Sequence, residues 1–118
     1  MSTPTPSRLS DYLEHILEAI ERATAHVDTI ASAEEFEADT KTQDAVVRNI
    51  EIIGEAASKI GKSYPDYLRQ HPQLPWDQMR AMRNKIIHDY FEVDYAIVWR
   101  TVKQDLPALA RQIRELLP

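Results

Sequence analysis

A short stretch near residue 88 brings together side chains that could act on a phosphodiester. Arg83, Asn84, His88 and Tyr90 lie within one run of eight residues. Arg83 carries a permanent charge and a planar fork of N–H donors that matches phosphate oxygens. His88 can take and give a proton near neutrality, because an imidazole has an unperturbed pKa of roughly 6.5. These residue types are the minimum set for metal-free phosphodiester chemistry.

Cleavage of RNA without a metal ion is the chemistry that this group would support. His88 could be the base that takes the proton from a ribose 2′-hydroxyl, or the acid that protonates the leaving 5′-oxygen. Arg83 would neutralise charge that builds on the phosphate in the transition state. Asn84 could orient His88 or bind a phosphate oxygen. The spacing of histidines and acidic residues elsewhere predicts no metal site, and no glycine-rich loop predicts a cofactor.

Spacing alone leaves other interpretations of this stretch open. An Arg-x-x-x-x-His pattern arises by chance in many helical proteins, and a histidine at a helix end can bond a backbone carbonyl instead. Tyr90 on its own is more typical of a rim aromatic than of a functional phenol. Five residues of a straight helix correspond to a rotation of about 140°, so Arg83 and His88 do not share a face. Either the helix ends or distorts near Ile87, or two copies meet so that both motifs line one cleft.

The elements that must position these residues are predicted to be helices. Apolar residues recur at steps of three and four, only two glycines occur, and no Asn-Gly or Asp-Gly hairpin turn is present. Short connections favour an all-α, up-and-down bundle with short helical turns between its main helices. Four main helices are expected, over about residues 9–30, 42–60, 75–90 and 94–117.

Single residues predict boundaries and contacts of these helices. Gly61 is expected to end the second helix, and Pro107 should kink or split the last one. Ser32 and Glu35 have the spacing of a capping box, which predicts a short helical turn. Gly54, inside the second helix, is expected to permit the close approach of another helix.

Composition limits the remaining possibilities. The chain has 118 residues, no cysteine and a formal charge of −5, which predicts one domain over residues 8–118 after a disordered tail at 1–7. No signal peptide is recognised and no apolar run approaches the roughly 18–20 residues of a membrane span, so a cytoplasmic protein without membrane contact is expected. The acidic balance argues against a broad surface for nucleic acid. If RNA is the ligand, Arg80 and Lys85, close to the histidine, are expected to belong to one local patch that meets it. A basic cleft on a net acidic chain could equally bind a small anionic ligand.

The amino-acid sequence around these residues resembles that of the HepT-like family. Its members are the HEPN-domain ribonuclease toxins of prokaryotic (type VII) toxin–antitoxin pairs. The resemblance runs in order over about residues 8–117. The family signature, Arg-x-x-x-x-His-x-Tyr, is matched without a gap by Arg83, His88 and Tyr90. The segments that carry the resemblance are 48–56, 74–76, 82–90, 98–99 and 105–109.

The resemblance implies a HEPN-like helical subunit that forms a homodimer, in which two motifs face one composite active site. It implies metal-independent endoribonuclease activity carried by Arg83 and His88, with Asn84 in support. The implied partner is a nucleotidyltransferase antitoxin that adds AMP to Tyr90. The bulk and negative charge of AMP two residues from the imidazole would block an RNA backbone by sterics and repulsion.

A function of a different class stays open from the sequence. The chain could be a non-catalytic subunit that binds substrate for a nucleotidyltransferase, or an accessory subunit of it, with Arg83 and His88 as anion ligands. The low overall positive charge mildly favours this alternative. Growth arrest that depends on His88 would separate the nuclease from it.

Overall fold

Helices form all of the regular structure that the computed structural model describes, which covers residues 5–118 and the side chains of residues 8–89 and 91–118. A 3₁₀ turn spans Tyr90–Glu92 and a π-helical segment spans Thr101–Asp105. The α-helices are α1 (Thr5–Val27), α2 (Ala33–Glu37), α3 (Thr40–Ser63), α4 (Pro65–Gln70), α5 (Trp76–His88), α6 (Tyr95–Arg100) and α7 (Leu106–Leu116). The predicted all-α bundle is confirmed.

The start of the chain falls only partly within the described residues. Residues 1–4 of the predicted tail lie outside them, whereas the backbone of residues 5–7 forms the first turn of α1. The division into a tail and one domain at residue 8 therefore stays a prediction. Among the described residues, no helix combines the length and the apolar character that crossing a membrane requires.

The core is built around α3, which packs against α1 on one side and α5 on the other, while α7 packs on α1. The apolar stripes of α1, α3 and α7 meet there, and Ile16, Ile60 and Ile113 are fully buried. Burying a branched aliphatic side chain of this kind stabilises a fold by about 1.5–3 kcal/mol. Helix α3 is thus the central helix of the bundle, called the spine below, and the motif helix α5 packs against it.

The predicted helical turn that begins at Ser32 is confirmed as α2, although the Glu35 side chain bonds the N–H of Ala31 and not that of Ser32. The Ser32 hydroxyl accepts a hydrogen bond from the Glu35 backbone N–H at 3.2 Å, and the Glu35 carboxylate accepts one from the Ala31 N–H at 2.9 Å. Phe36 is fully buried. The buried Gln43 amide of α3 donates to the Phe36 carbonyl at 2.8 Å, so this short helix is fastened to the spine.

The prediction that Gly61 ends the second helix is wrong. Helix α3 continues to Ser63 and stops before Pro65, which opens α4. The ring of a proline disfavours helical backbone at the residue before it, and Tyr64 accordingly has φ −135° and ψ 57°. Gly61 instead lies beneath Arg80 of α5, whose Nη1 would be 2.8 Å from a Cβ at that position.

Pro107 was expected to kink or split the last helix, and the structure shows an interruption by a π-helical segment through which the backbone stays helical. Asp94 caps α6 by accepting from the N–H groups of Ala96 and Ile97 at 3.0 and 3.3 Å. The backbone then widens into the π-helical segment before α7 begins. Proline supplies no N–H and its ring crowds the carbonyl four residues earlier, here that of Lys103 within the widened turn.

Candidate active site on helix α5

Helix α5 presents the motif residues in different directions. Its core face carries Met79 and Ile86, both buried. Arg83 leaves the helix next to α3, whereas His88 is exposed and is the last residue of the helix. The helix was expected to reach about Tyr90 and ends two residues earlier. No hydrogen bond or ion pair links the side chains of Arg83 and His88 in the described part of the chain.

A close approach between α3 and α5 sets the position of Arg83. Gly54 of α3 is buried, and a Cβ at this position would overlap the Cβ of Arg83 and lie 2.8 Å from the Met79 carbonyl oxygen. Neither obstacle can swing aside, because both belong to the backbone of α5 or are attached directly to it. The prediction that Gly54 permits a close helix approach is confirmed, and the helix that approaches is the one that carries the motif.

The Arg83 guanidinium is held at both of its ends. Nη2 donates to Oε2 of Glu55 at 3.1 Å, and Nη1 donates to Oδ1 of Asn84 at 3.0 Å. Oε1 of Glu55 lies 3.9 Å from Nζ of Lys59, one turn further along α3. A guanidinium has five N–H donors, and the other three have no hydrogen-bond partner among the described residues. The motif cation is therefore oriented and keeps donors that are not used within the described residues.

His88 is accessible and lacks such support within the described residues. Its imidazole has no hydrogen-bond or ion-pair partner there, and the amide oxygen of Asn84, one turn earlier, accepts from Arg83 instead. Asp89, which follows His88, is paired with Lys85 at 3.5 Å. Tyr90 begins the 3₁₀ turn after the helix, and its side chain lies outside the described residues.

The two bases predicted to bind RNA lie on different sides of α5. Arg80 is ion-paired with Asp77 and lies over Gly61 at the contact with α3, on the same side as Arg83. Lys85 lines a cleft on the other side of the helix. The five-residue step separates this pair for the same geometric reason that it separates Arg83 from His88.

That cleft, of about 690 Å³, is lined by α5, by the C-terminal helices and by Ile50 and Ile53 of α3. Met82 and Ile86 of α5 face Ile97 and Leu109 across it, so its walls are largely apolar. Ile97 is partly exposed at 38 %. The cleft and the Arg83–Glu55 contact thus flank α5 on opposite sides.

The arrangement suits the binding of a phosphate group. It offers one oriented cation, with donors not used within the described residues, and one exposed imidazole on the same helix. Among the described residues, no cluster of three or more histidine and acidic side chains could hold a metal ion. Sequence reasoning missed Glu55 as a partner of Arg83, although its position directly after the close-contact glycine was visible.

The chain is similar along most of its length to proteins named as probable or putative ribonucleases. Residues 16–116 match the family model described as "Ribonuclease HepT-like". The chain is 47 % identical over 106 residues to "Probable ribonuclease HepT" of Thermococcus cleftensis, covering 90 % of this chain and 93 % of that protein. It is 40 % identical over 117 residues to "Putative RNase TTE0752" of Caldanaerobacter subterraneus subsp. tengcongensis, covering 99 % and 96 %. No solved structure matches it.

Proposed function

Since the chain belongs to the HepT-like ribonuclease family, we propose that it is a metal-independent endoribonuclease and the toxin of a prokaryotic toxin–antitoxin pair. The observation that carries the proposal is the state of Arg83 within the matched region. Its guanidinium is oriented by Glu55 and Asn84, keeps three N–H donors that are not used within the described residues, and lies on the same short helix as the exposed His88.

The proposed reaction is transesterification within the RNA strand. His88 takes the proton of a ribose 2′-hydroxyl, the 2′-oxygen forms a bond to the adjacent phosphorus, and the bond from phosphorus to the 5′-oxygen breaks. A protonated imidazole returns a proton to the 5′-oxygen, which leaves a 2′,3′-cyclic phosphate and a 5′-hydroxyl. Arg83 stabilises the additional negative charge on the phosphate oxygens as the 2′-oxygen attacks.

We further propose that two copies of the chain form the active site together. Arg83 and His88 leave α5 about 140° apart, so one copy does not converge them on a single phosphate without rearrangement. The motif contains one histidine, whereas the reaction uses a base and an acid. A dimer that brings two α5 ends together supplies two imidazoles and two guanidinium groups to one cleft.

The proposed partner is a nucleotidyltransferase antitoxin that transfers AMP to the Tyr90 hydroxyl in the cytoplasm. The support is the match of Arg83, His88 and Tyr90 to the family signature, together with the position of Tyr90 at the first residue after the end of α5 and its cap. The proposal predicts a nucleotidyltransferase gene beside this one, and co-expression with its product should add the mass of AMP to the intact protein. Tyr90→Phe should abolish that gain, and a gain that persists in this variant would refute the assignment.

Cleavage by the purified wild-type protein, His88→Ala and His26→Ala tests the nuclease. His26 is a matched control, because it is also an exposed histidine in the last turn of a helix, here α1. We expect His88→Ala to lose cleavage by roughly 10²–10⁴-fold, the usual contribution of general acid–base catalysis, and His26→Ala to retain it. Cleavage in EDTA and a cyclic phosphate end are also expected. Equal activity of the two variants would refute the role of His88.

The acidic formal charge of −5 favours a second candidate, a non-catalytic subunit of a nucleotidyltransferase. In that case Arg83 and His88 would bind an anionic substrate without breaking it. Protein with unmodified Tyr90 would then bind nucleotide or RNA, cleave neither, and cause no growth arrest on expression.

A further inference from the structure

Glu55 of α3 accepts a hydrogen bond from the guanidinium of Arg83, which lies on the neighbouring helix α5. We propose that Glu55 is a positioning residue, which fixes the plane of that guanidinium for the phosphate under attack. The inference rests on the proposed role of Arg83 in RNA cleavage. It concerns a residue outside the Arg-x-x-x-x-His-x-Tyr signature, 28 residues before Arg83 in the chain.

The first argument is that an arginine side chain needs to be held before it can act as an oriented clamp. Its rotamers carry about 2 kcal/mol of conformational entropy, which would have to be lost as the reaction proceeds. Here Glu55 binds Nη2 and Asn84 binds Nη1, so two separate contacts define the plane of the group. Asn84 alone, on the same helix, would leave the guanidinium free to pivot about that one bond.

The second argument is that backbone packing places Glu55 within reach. Gly54, the residue before it, lets α5 approach α3 so closely that the Arg83 side chain starts against the surface of α3. Glu55, the next residue along α3, then accepts a hydrogen bond from the guanidinium at the end of the same side chain. The adjacent pair Gly54 and Glu55 therefore acts on both ends of Arg83, one through sterics and one through charge.

The third argument is that stability does not account for this pair. Of the ion pairs among the described side chains, two join different helices, Arg83–Glu55 and Arg114–Glu21. The side chains of Arg83 and Glu55 are 30 % and 50 % exposed, and ion pairs this open to solvent contribute roughly 0–1 kcal/mol. The ion pair between Arg83 and Glu55 therefore adds little to stability. What it does is orient the guanidinium of Arg83, which lies in the proposed site.

The charge of Glu55 makes the proposal distinguishable from the other possible roles. The carboxylate lies between Lys59 and Arg83, so its removal raises the positive charge that RNA meets. Loss of a positioning residue should therefore leave RNA binding unchanged or tighter while slowing cleavage. A merely structural role would weaken both, and simple repulsion of RNA would predict that both improve.

The test compares Glu55→Gln with Glu51→Gln in the full-length protein. Glu51 lies one turn earlier on α3, is partly exposed and makes no ion pair with a described residue, so each variant loses one negative charge at nearly constant shape. We expect Glu55→Gln to lower kcat by at least about tenfold, since small misplacements of catalytic groups can cost about 10²-fold, with KM equal or lower. Glu51→Gln should match the wild type in both constants. In an Arg83→Ala background, Glu55→Gln should have no further effect on kcat.

A second measurement is independent of cleavage. NMR of the arginine side chains should show slowed rotation of the Arg83 guanidinium in the wild type and in Glu51→Gln, and faster rotation in Glu55→Gln.

If Glu55→Gln retains the wild-type kcat while Arg83→Ala loses it, the positioning role is wrong and the nuclease stands. If the wild type cleaves no RNA, the proposed function is wrong, and unchanged rotation in Glu55→Gln would overturn the positioning contact as well. A fall in kcat with raised KM and a lowered Tm would assign Glu55 to structure alone.

Discussion

Replacing Gly54 with alanine tests whether the close contact between α3 and α5 sets the geometry of the site. The added Cβ would overlap the Cβ of Arg83 and lie 2.8 Å from the Met79 carbonyl oxygen. Helix α5 must then move away from α3, and Arg83 moves with it. The substitution changes no charge and removes no hydrogen-bonding group, so its effect reports on packing distance.

The expected loss of stability is a difference between two opposing effects. Alanine in place of glycine inside a helix favours folding by about 1 kcal/mol. Overpacking a tight contact typically costs about 1–3 kcal/mol, and the upper end applies here because the obstacles cannot rotate away. The net expectation is a loss of about 2 kcal/mol, which lowers Tm by roughly 8 °C for a domain of this size.

Gly61→Ala is the matched control in the same helix. A Cβ there would come to 2.8 Å from Nη1 of Arg80, the tip of a flexible side chain that can swing away. Helix propensity then dominates, and the control should be as stable as the wild type or more stable by up to about 1 kcal/mol. Urea unfolding gives the two free energies, and cleavage assays on the same samples should show at least about a tenfold loss for Gly54→Ala alone. If Gly54→Ala matches Gly61→Ala in stability and cleavage, the packing argument is refuted.

Three further predictions concern the charged and titratable residues of α5. Arg83→Lys should lower kcat/KM despite keeping the charge, because an ammonium cannot reproduce the forked contacts of a guanidinium; a wild-type rate would count against Arg83 as the phosphate clamp. Mixing Arg83→Ala with His88→Ala protein should restore part of the activity if the site is shared between two copies, and the absence of any rescue would favour self-contained sites. Arg80→Ala and Lys85→Ala should each reduce the slope of log Kd against log salt concentration for RNA by about one unit if each contacts a phosphate; an unchanged slope excludes that residue from the RNA interface.

Local chemistry made part of the fold predictable from the sequence. The hydrogen bonds of a capping box involve residues three or four apart, so Ser32 and Glu35 identified the start of α2 without knowledge of the packing. Pro107 similarly predicted the interruption of the last helix, because the clash of its ring is with its own preceding turn. The apolar periodicity predicted the buried stripes for the same reason, since each stripe is a property of one helix.

Features that depend on how two helices align were not predictable in the same way. Gly61 looks like a helix stop when read alone, but α3 continues through it to Ser63, and the residue lies beneath Arg80 of α5. The partner of Arg83 depends on the register between α3 and α5, which no local pattern encodes. The sequence therefore predicted the cation and the imidazole of the site and missed the carboxylate that orients the cation.

The packing of α5 mainly on α3 has a consequence for how the protein opens. The spine α3 has helices on both sides, whereas α5 has the spine on one side and the apolar cleft on the other. Segments with few buried neighbours open with smaller free energies than the global unfolding reaction. Amide hydrogens of α5 should therefore exchange with solvent sooner than those in the middle of α1 and α3. Mild denaturant should therefore abolish RNA cleavage by detaching α5 while most of the bundle remains folded.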